Sequence, residues 1–194
     1  MYDYLLNNWL EILGTLTGMV YLYLEYKASI WLWVTSIIMP AIYIFVYYQH
    51  GLYADFGIQI YYLFAAVYGF AVWKLGRQQQ GKEMPITHVP TRRWIPIAIA
   101  WLAIWAAIAA VLLTCTDSNV PYWDSFTTAT SVIGLWLLAR KYVEQWLVWI
   151  AVDAVCTGLY IYKGIYFTAG LYGCYTLIAV FGYRKWLYLM ERNS

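Results

Sequence analysis

Apolar residues arrive in runs of about twenty, the length at which a helix rising ~1.5 Å per residue crosses a ~30 Å hydrocarbon layer. The runs lie at 9–26, 29–49, 53–74, 94–115, 121–139, 142–162 and 165–187, each bounded by charges, Gly, Pro or Asn. A backbone in lipid must pair its polar groups within its own segment, so every run is expected to be a helix. Only 11% of the 194 residues are charged, too few to cover a water-facing surface. The expectation is an all-α integral membrane protein of seven transmembrane helices.

Seven crossings put the loops near 27, 74–93 and 140–141 on the side of the C-terminus. That side holds Lys27, Lys74, Arg77, Lys82, Arg92, Arg93, Arg140, Lys141, Arg184, Lys185 and Arg192, eleven of the twelve basic residues, and leaves only Lys163 on the other. The positive-inside rule makes the basic side cytoplasmic, with the N-terminus outside. No cleavable signal is expected, because residues 1–8 are acidic rather than basic and the first run is followed by another span.

Several function classes are excluded. A net charge of +2 with basic residues confined to short loops gives no nucleic-acid footprint. Cys115, Cys156 and Cys174 form no CxxC pair and have no nearby His, so no metal site or cofactor is expected and the cysteines read as buried free thiols. There is no HExxH, no Ser with a placed His and no phosphate-cradling Gly-rich loop, and His50 and His88 fall on opposite sides of the membrane. An enzyme is therefore not expected.

The loop KLGRQQQGKEMPITHVPTRR divides the chain, and a shift of 113 residues relates its halves. Gly51, Tyr53, Tyr62, Val67, Gly69 and Trp73 fall on Gly164, Tyr166, Tyr175, Val180, Gly182 and Trp186, and Trp33 falls on Trp146. Paired spans are four crossings apart, so the repeat is parallel. The expected layout is one membrane domain over 1–194: a three-helix repeat at 9–74, a cytoplasmic loop at 75–93, a linker helix at 94–115 and a second repeat at 121–187. That is the 3+1+3, SWEET-like arrangement in which a transporter site lies between halves near the midplane.

One stripe stands out within the spans. Trp146, Trp149 and Asp153 sit at i, i+3 and i+7 in WLVWIAVDAV, on one helical face. Asp153 lies twelve residues beyond Lys141, ~18 Å into the bilayer. A carboxylate there costs about 2.5–3.5 kcal/mol on insertion scales, so it should face a cavity or a polar partner. With two indoles beside it, the stripe suits a flat aromatic cation. The alternative is that Asp153 bonds a neighbouring helix while the indoles pack. Gln59 could read a polar ligand edge or tie helices together. Thr127, Thr128, Thr130 and Ser131 could line one wall, and Tyr62 and Tyr160 are further candidate contacts. Glu11, Glu25, Asp55, Asp124 and Glu144 lie near span ends, where the interface can solvate them or they can tie loops.

Three stretches resemble the PnuC family of vitamin transporters, and the resemblance covers nearly the whole chain. They are WLEILGTLTGMVYL, LYADFGIQIYYLFAAVYGFAVW, and PYWDSFTTATSV followed by ARKYVEQWLVWIAVDAVCTGLYIYKGIY. The resemblance implies a homotrimer in a bacterial inner (plasma) membrane and facilitated diffusion of an unphosphorylated vitamin that a cytoplasmic kinase then traps. Its nicotinamide riboside members carry Asn where this chain has Asp153, and a second Asn where it has Ala66. Those differences make thiamine, the substrate of the PnuT branch, the expected cargo. Nicotinamide riboside is the alternative, followed by riboflavin or by proton-coupled uptake in which Asp153 titrates. The substrate contacts would be Trp146, Trp149, Asp153, Gln59, Thr128, Tyr62 and Tyr160.

Overall fold

A computed structural model describes residues 9–49, 53–80, 84–116 and 119–192. The expectations attached to residues 1–8, His50, Gly51 and Lys82 lie outside them. The described residues form seven α-helices: α1 (Trp9–Tyr26), α2 (Trp31–Gln49), α3 (Tyr53–Gln80), α4 (Trp94–Cys115), α5 (Pro121–Ala139), α6 (Gln145–Tyr162) and α7 (Tyr166–Arg192). α3 continues to Gln80 rather than ending at 74, and α7 continues to Arg192 rather than 187. Lys, Arg, Gln and Leu favour helix in water as well, so neither helix stops where the apolar run does.

The chain divides into two compact units, Met1–Met84 and Pro85–Ser194. The division falls in the polar segment expected to separate the halves, and α4 belongs to the second unit. There Trp101 of α4 donates its indole N–H to Thr130 Oγ1 of α5 at 3.0 Å and meets Phe126 edge-on.

The same turn is built once in each unit. Ala28 and Lys141 are the two non-glycine residues with positive φ among those described, both at 52°, and they lie 113 positions apart. The amide of Ala28 donates to Glu25 O at 2.9 Å and that of Ser29 to Leu24 O at 2.9 Å. Lys141 to Leu138 O at 2.9 Å and Tyr142 to Leu137 O at 3.0 Å repeat the pattern. A left-handed residue reverses the chain and satisfies the last helical carbonyls.

The packing below each turn also recurs. Trp33 of α2 meets Trp73 of α3 edge-on at 5.7 Å and 88°; Trp146 of α6 meets Trp186 of α7 at 5.8 Å and 85°. Both leading indoles are buried, at 1% exposure. Each lies against a glycine: a Cβ on Gly182 would sit 2.6 Å from the Trp146 ring, and one on Gly69 would clash with Trp33 in the same way. Gly69→Ala and Gly182→Ala are therefore each expected to destabilise by about 1–3 kcal/mol, the usual overpacking range. Thermal unfolding of the purified variants checks this, and an unchanged midpoint in either would mean that its indole is free to move aside.

Two helical segments, Thr91–Cys115 and Gln145–Tyr162, are long and apolar enough by composition to cross a membrane, and Trp31–Phe45 is a shorter apolar stretch. The other helices carry more Tyr, Gln and charge, which hydropathy indices score as polar although Tyr suits a membrane interface. Large apolar side chains point outward along α4, including Ile95, Ile99, Leu102 and Val111, as expected where lipid is the solvent.

Lipid also corrects the reading of the cysteines. All three are free, but Cys115 and Cys174 are exposed and Cys156 is half-buried, because a thiol facing hydrocarbon needs no protein around it. Glu25 departs from expectation too: it is 2% exposed and bonded by Tyr21 rather than solvated. Glu144 does tie a loop. Its carboxylate takes His88 Nδ1 at 2.7 Å and the Val89 amide at 3.0 Å, fastening the strap ahead of α4 to the α5–α6 turn. Thr87 completes that strap, bonding Lys141 O and the Val143 amide.

Candidate substrate site

The site is built on α6, which starts immediately after the Lys141 turn. Trp146, Trp149 and Asp153 share one face as their spacing requires, but their surroundings differ. Trp146 is buried against Gly182 and Trp186 of α7. Trp149 is half-buried, its indole edge against Gly134 of α5, where an added Cβ would lie 3.3 Å from the ring. The indole N–H of each is buried without a partner.

Asp153, one turn further on, is 9% exposed. Its backbone carbonyl accepts the Thr157 hydroxyl at 2.7 Å, which leaves its side chain uninvolved. Among the described residues the Asp153 carboxylate makes no hydrogen bond and no ion pair. Buried polar groups are normally satisfied, so a deep carboxylate without a partner calls for one from outside the chain.

Aromatic residues of α7 lie near it. Tyr172 and Tyr175 both lie within electrostatic reach of Asp153, as does Cys156. The Tyr172 ring is 5.2 Å from that of Tyr160 on α6, tilted by 31°, and 5.8 Å from Tyr175, edge-on. The second unit thus gathers Trp149, Asp153, Tyr160, Tyr172 and Tyr175 on two adjacent helices. No Lys, Arg or His occurs in 142–162 or 166–183, so nothing cationic on α6 or the buried length of α7 answers the carboxylate.

The remaining candidates are placed differently. Thr128 is exposed and donates its hydroxyl to Asp124 O at 2.8 Å. Thr127 and Ser131 likewise bond back to carbonyls of their own helix, the ordinary resting state of helical hydroxyls. Gln59 and Tyr62 lie on α3 of the first unit, Gln59 half-buried and Tyr62 40% exposed beside Tyr61. Tyr172 was missed by sequence reasoning, and Tyr175 was named only as a repeat partner. The 113-residue shift pointed at both, since it carries Gln59 onto Tyr172 and Tyr62 onto Tyr175.

Comparison with known proteins bears on what this site holds. Residues 8–188 match the model of the nicotinamide mononucleotide transporter family. The nicotinamide riboside transporter PnuC of Escherichia coli is 25% identical over 93% of this chain and 85% of its own length. The riboflavin/roseoflavin transporter RibM of Streptomyces davaonensis is 24% identical over 96% of this chain and 88% of its own. The crystal structure of the vitamin B3 transporter PnuC superposes with a TM-score of 0.72, covering all of this chain and 86% of that one at 23% identity.

Proposed function

This chain belongs to the nicotinamide mononucleotide transporter family of membrane vitamin transporters, and from that premise we propose that it takes up nicotinamide riboside by facilitated diffusion across the inner membrane. The observation that carries the substrate reading is the Asp153 carboxylate, unpartnered among the described residues, one turn from Trp149 and near Tyr172 and Tyr175. Nicotinamide riboside is a flat cation with a carboxamide and hydroxyls. Its ring suits an indole face, and its charge and N–H groups suit a carboxylate held away from water.

The same chemistry disfavours the phosphorylated form. A phosphate near Asp153 would meet like charge with no Lys, Arg or His in 142–162 or 166–183 to offset it. An unphosphorylated cargo, trapped afterwards by a kinase on the basic, cytoplasmic side, is the consistent reading. Thiamine, expected from Asp153 and Ala66, finds no support among the relatives above, which are named for nicotinamide riboside and riboflavin. Nicotinamide riboside therefore takes its place.

The duplicated turn, the two Trp–Trp pairs and their glycines support the parallel 3+1+3 repeat, and the charge asymmetry supports an N-out orientation. A homotrimer completes the reading by family analogy. Tyr160, Thr128, Gln59 and Tyr62 remain assigned to the substrate path, and Trp146 holds the stripe in place from within.

Counterflow in proteoliposomes tests the function. Labelled nicotinamide riboside should exchange without ATP and be unaffected by collapsing the proton gradient. Exchange of thiamine or riboflavin in its place would overturn the substrate, and sensitivity to the gradient would overturn facilitated diffusion. Trp149→Ala should keep its fold and weaken binding about three- to thirtyfold, the range of a cation–π contact, as read by calorimetric titration.

A further inference from the structure

α4 and α5 enclose an open groove of about 510 Å³ within the second unit. Its wall is formed by Ile97, Ala100 and Ile104 of α4 and Val132 and Trp136 of α5, and Arg93 closes one end. Apart from that arginine the lining is apolar. From Arg93 to Ile104 the helix rises ~16 Å, about half the ~30 Å hydrocarbon thickness. The groove is thus about as long as one leaflet is thick, and its charged end lies where the positive-inside rule puts the cytoplasmic side.

A second cation stands at that end. Arg140 follows α5 directly, its guanidinium 5.7 Å from the centre of the Trp136 ring, and its Nε is buried without a hydrogen-bond partner. Among the described residues neither Arg93 nor Arg140 forms an ion pair, and the nearby carboxylate, Glu144, is occupied by His88 and the Val89 amide.

We propose that this groove binds one anionic phospholipid of the cytoplasmic leaflet, with an acyl chain along Ile97–Ile104 and the phosphate between Arg93 and Arg140. Length selects a lipid, because the apolar channel is about as long as one leaflet is thick. Charge selects an anionic one, because two arginines without carboxylate partners flank the headgroup level.

The full-length protein, delipidated in detergent and offered equal phosphatidylglycerol and phosphatidylcholine, supplies the test by native mass spectrometry. The wild type should retain phosphatidylglycerol with a preference of about tenfold or more, the scale expected of two arginines near a headgroup. R93Q/R140Q should bring that preference to parity, and Ala100→Trp, which fills the groove, should abolish retention of both lipids. Equal retention by the wild type, or a preference that survives R93Q/R140Q, overturns the proposal. So does Ala100→Trp if it leaves lipid retention intact while changing the oligomeric state, since the groove would then seat a second copy of the chain. Circular dichroism and size-exclusion profiles establish that each variant is folded; should Ala100→Trp misfold, the double arginine variant decides alone.

Discussion

Asp153→Ala is expected to abolish measurable exchange of nicotinamide riboside and weaken its binding by about ten- to a hundredfold, whereas Asp153→Asn keeps binding within about tenfold. The first figure follows from charge-assisted hydrogen bonds, worth ~1.5–3 kcal/mol each, at ~1.4 kcal/mol per tenfold in affinity. Asp153 is 9% exposed and its carboxylate is unpartnered among the described residues, so its removal leaves no internal bond broken and the fold should survive. Asn retains an acceptor at the same place and adds a donor, and the nicotinamide riboside members that this chain resembles carry Asn there. Calorimetric titration of both variants, with counterflow beside it, reads the difference. Unchanged binding in Asp153→Ala would move the site elsewhere, and equal loss in both variants would mean that the charge itself is indispensable.

Much of the architecture was legible because membrane folding leaves a coarse record. Run length is dictated by bilayer thickness, and seven runs became seven helices within a few residues, the exceptions being α3 and α7, whose polar ends stay helical in water. The recurring Trp–Gly packing was legible for a different reason. A Trp that must pack on a glycine leaves both residues fixed, and the pairs Trp33 with Gly69 and Trp146 with Gly182 are the matches that the 113-residue shift found and the packing uses.

What was less legible depended on neighbours rather than on periodicity. A spacing of i, i+3 and i+7 places Trp146, Trp149 and Asp153 on one face but says nothing of what that face meets. Trp146 meets Gly182, while Trp149 borders Gly134 and is only half-buried. Tyr172 was hidden among twenty-one tyrosines, and only its proximity to Asp153 distinguishes it. Likewise no local pattern forecast that Glu144 would grip a segment fifty-five positions earlier, because that contact is set by where the α5–α6 turn points.

Trp146→Ala should be the most destabilising substitution in the second unit, costing about 3–5 kcal/mol at soluble-core values for loss of a buried Trp. The indole is 1% exposed, meets Trp186 at 5.8 Å and fills the space that Gly182 leaves open. Its N–H has no partner, so the ring's contacts rather than a hydrogen bond supply the stability. Trp146→Phe should accordingly recover most of the loss, since it keeps an aromatic ring and removes a buried donor that gains nothing. Trp33→Ala should produce a loss of similar size in the first unit, because its ring is equally buried and meets Trp73 at 5.7 Å. Thermal and denaturant unfolding in detergent distinguish this from a contact role. If Trp146→Ala keeps its unfolding midpoint and loses only affinity, the indole faces substrate instead of holding α6 on α7. If both midpoint and Phe rescue behave as expected, the stripe divides by depth: Trp146 fixes the helix, and Trp149 and Asp153 meet the cargo.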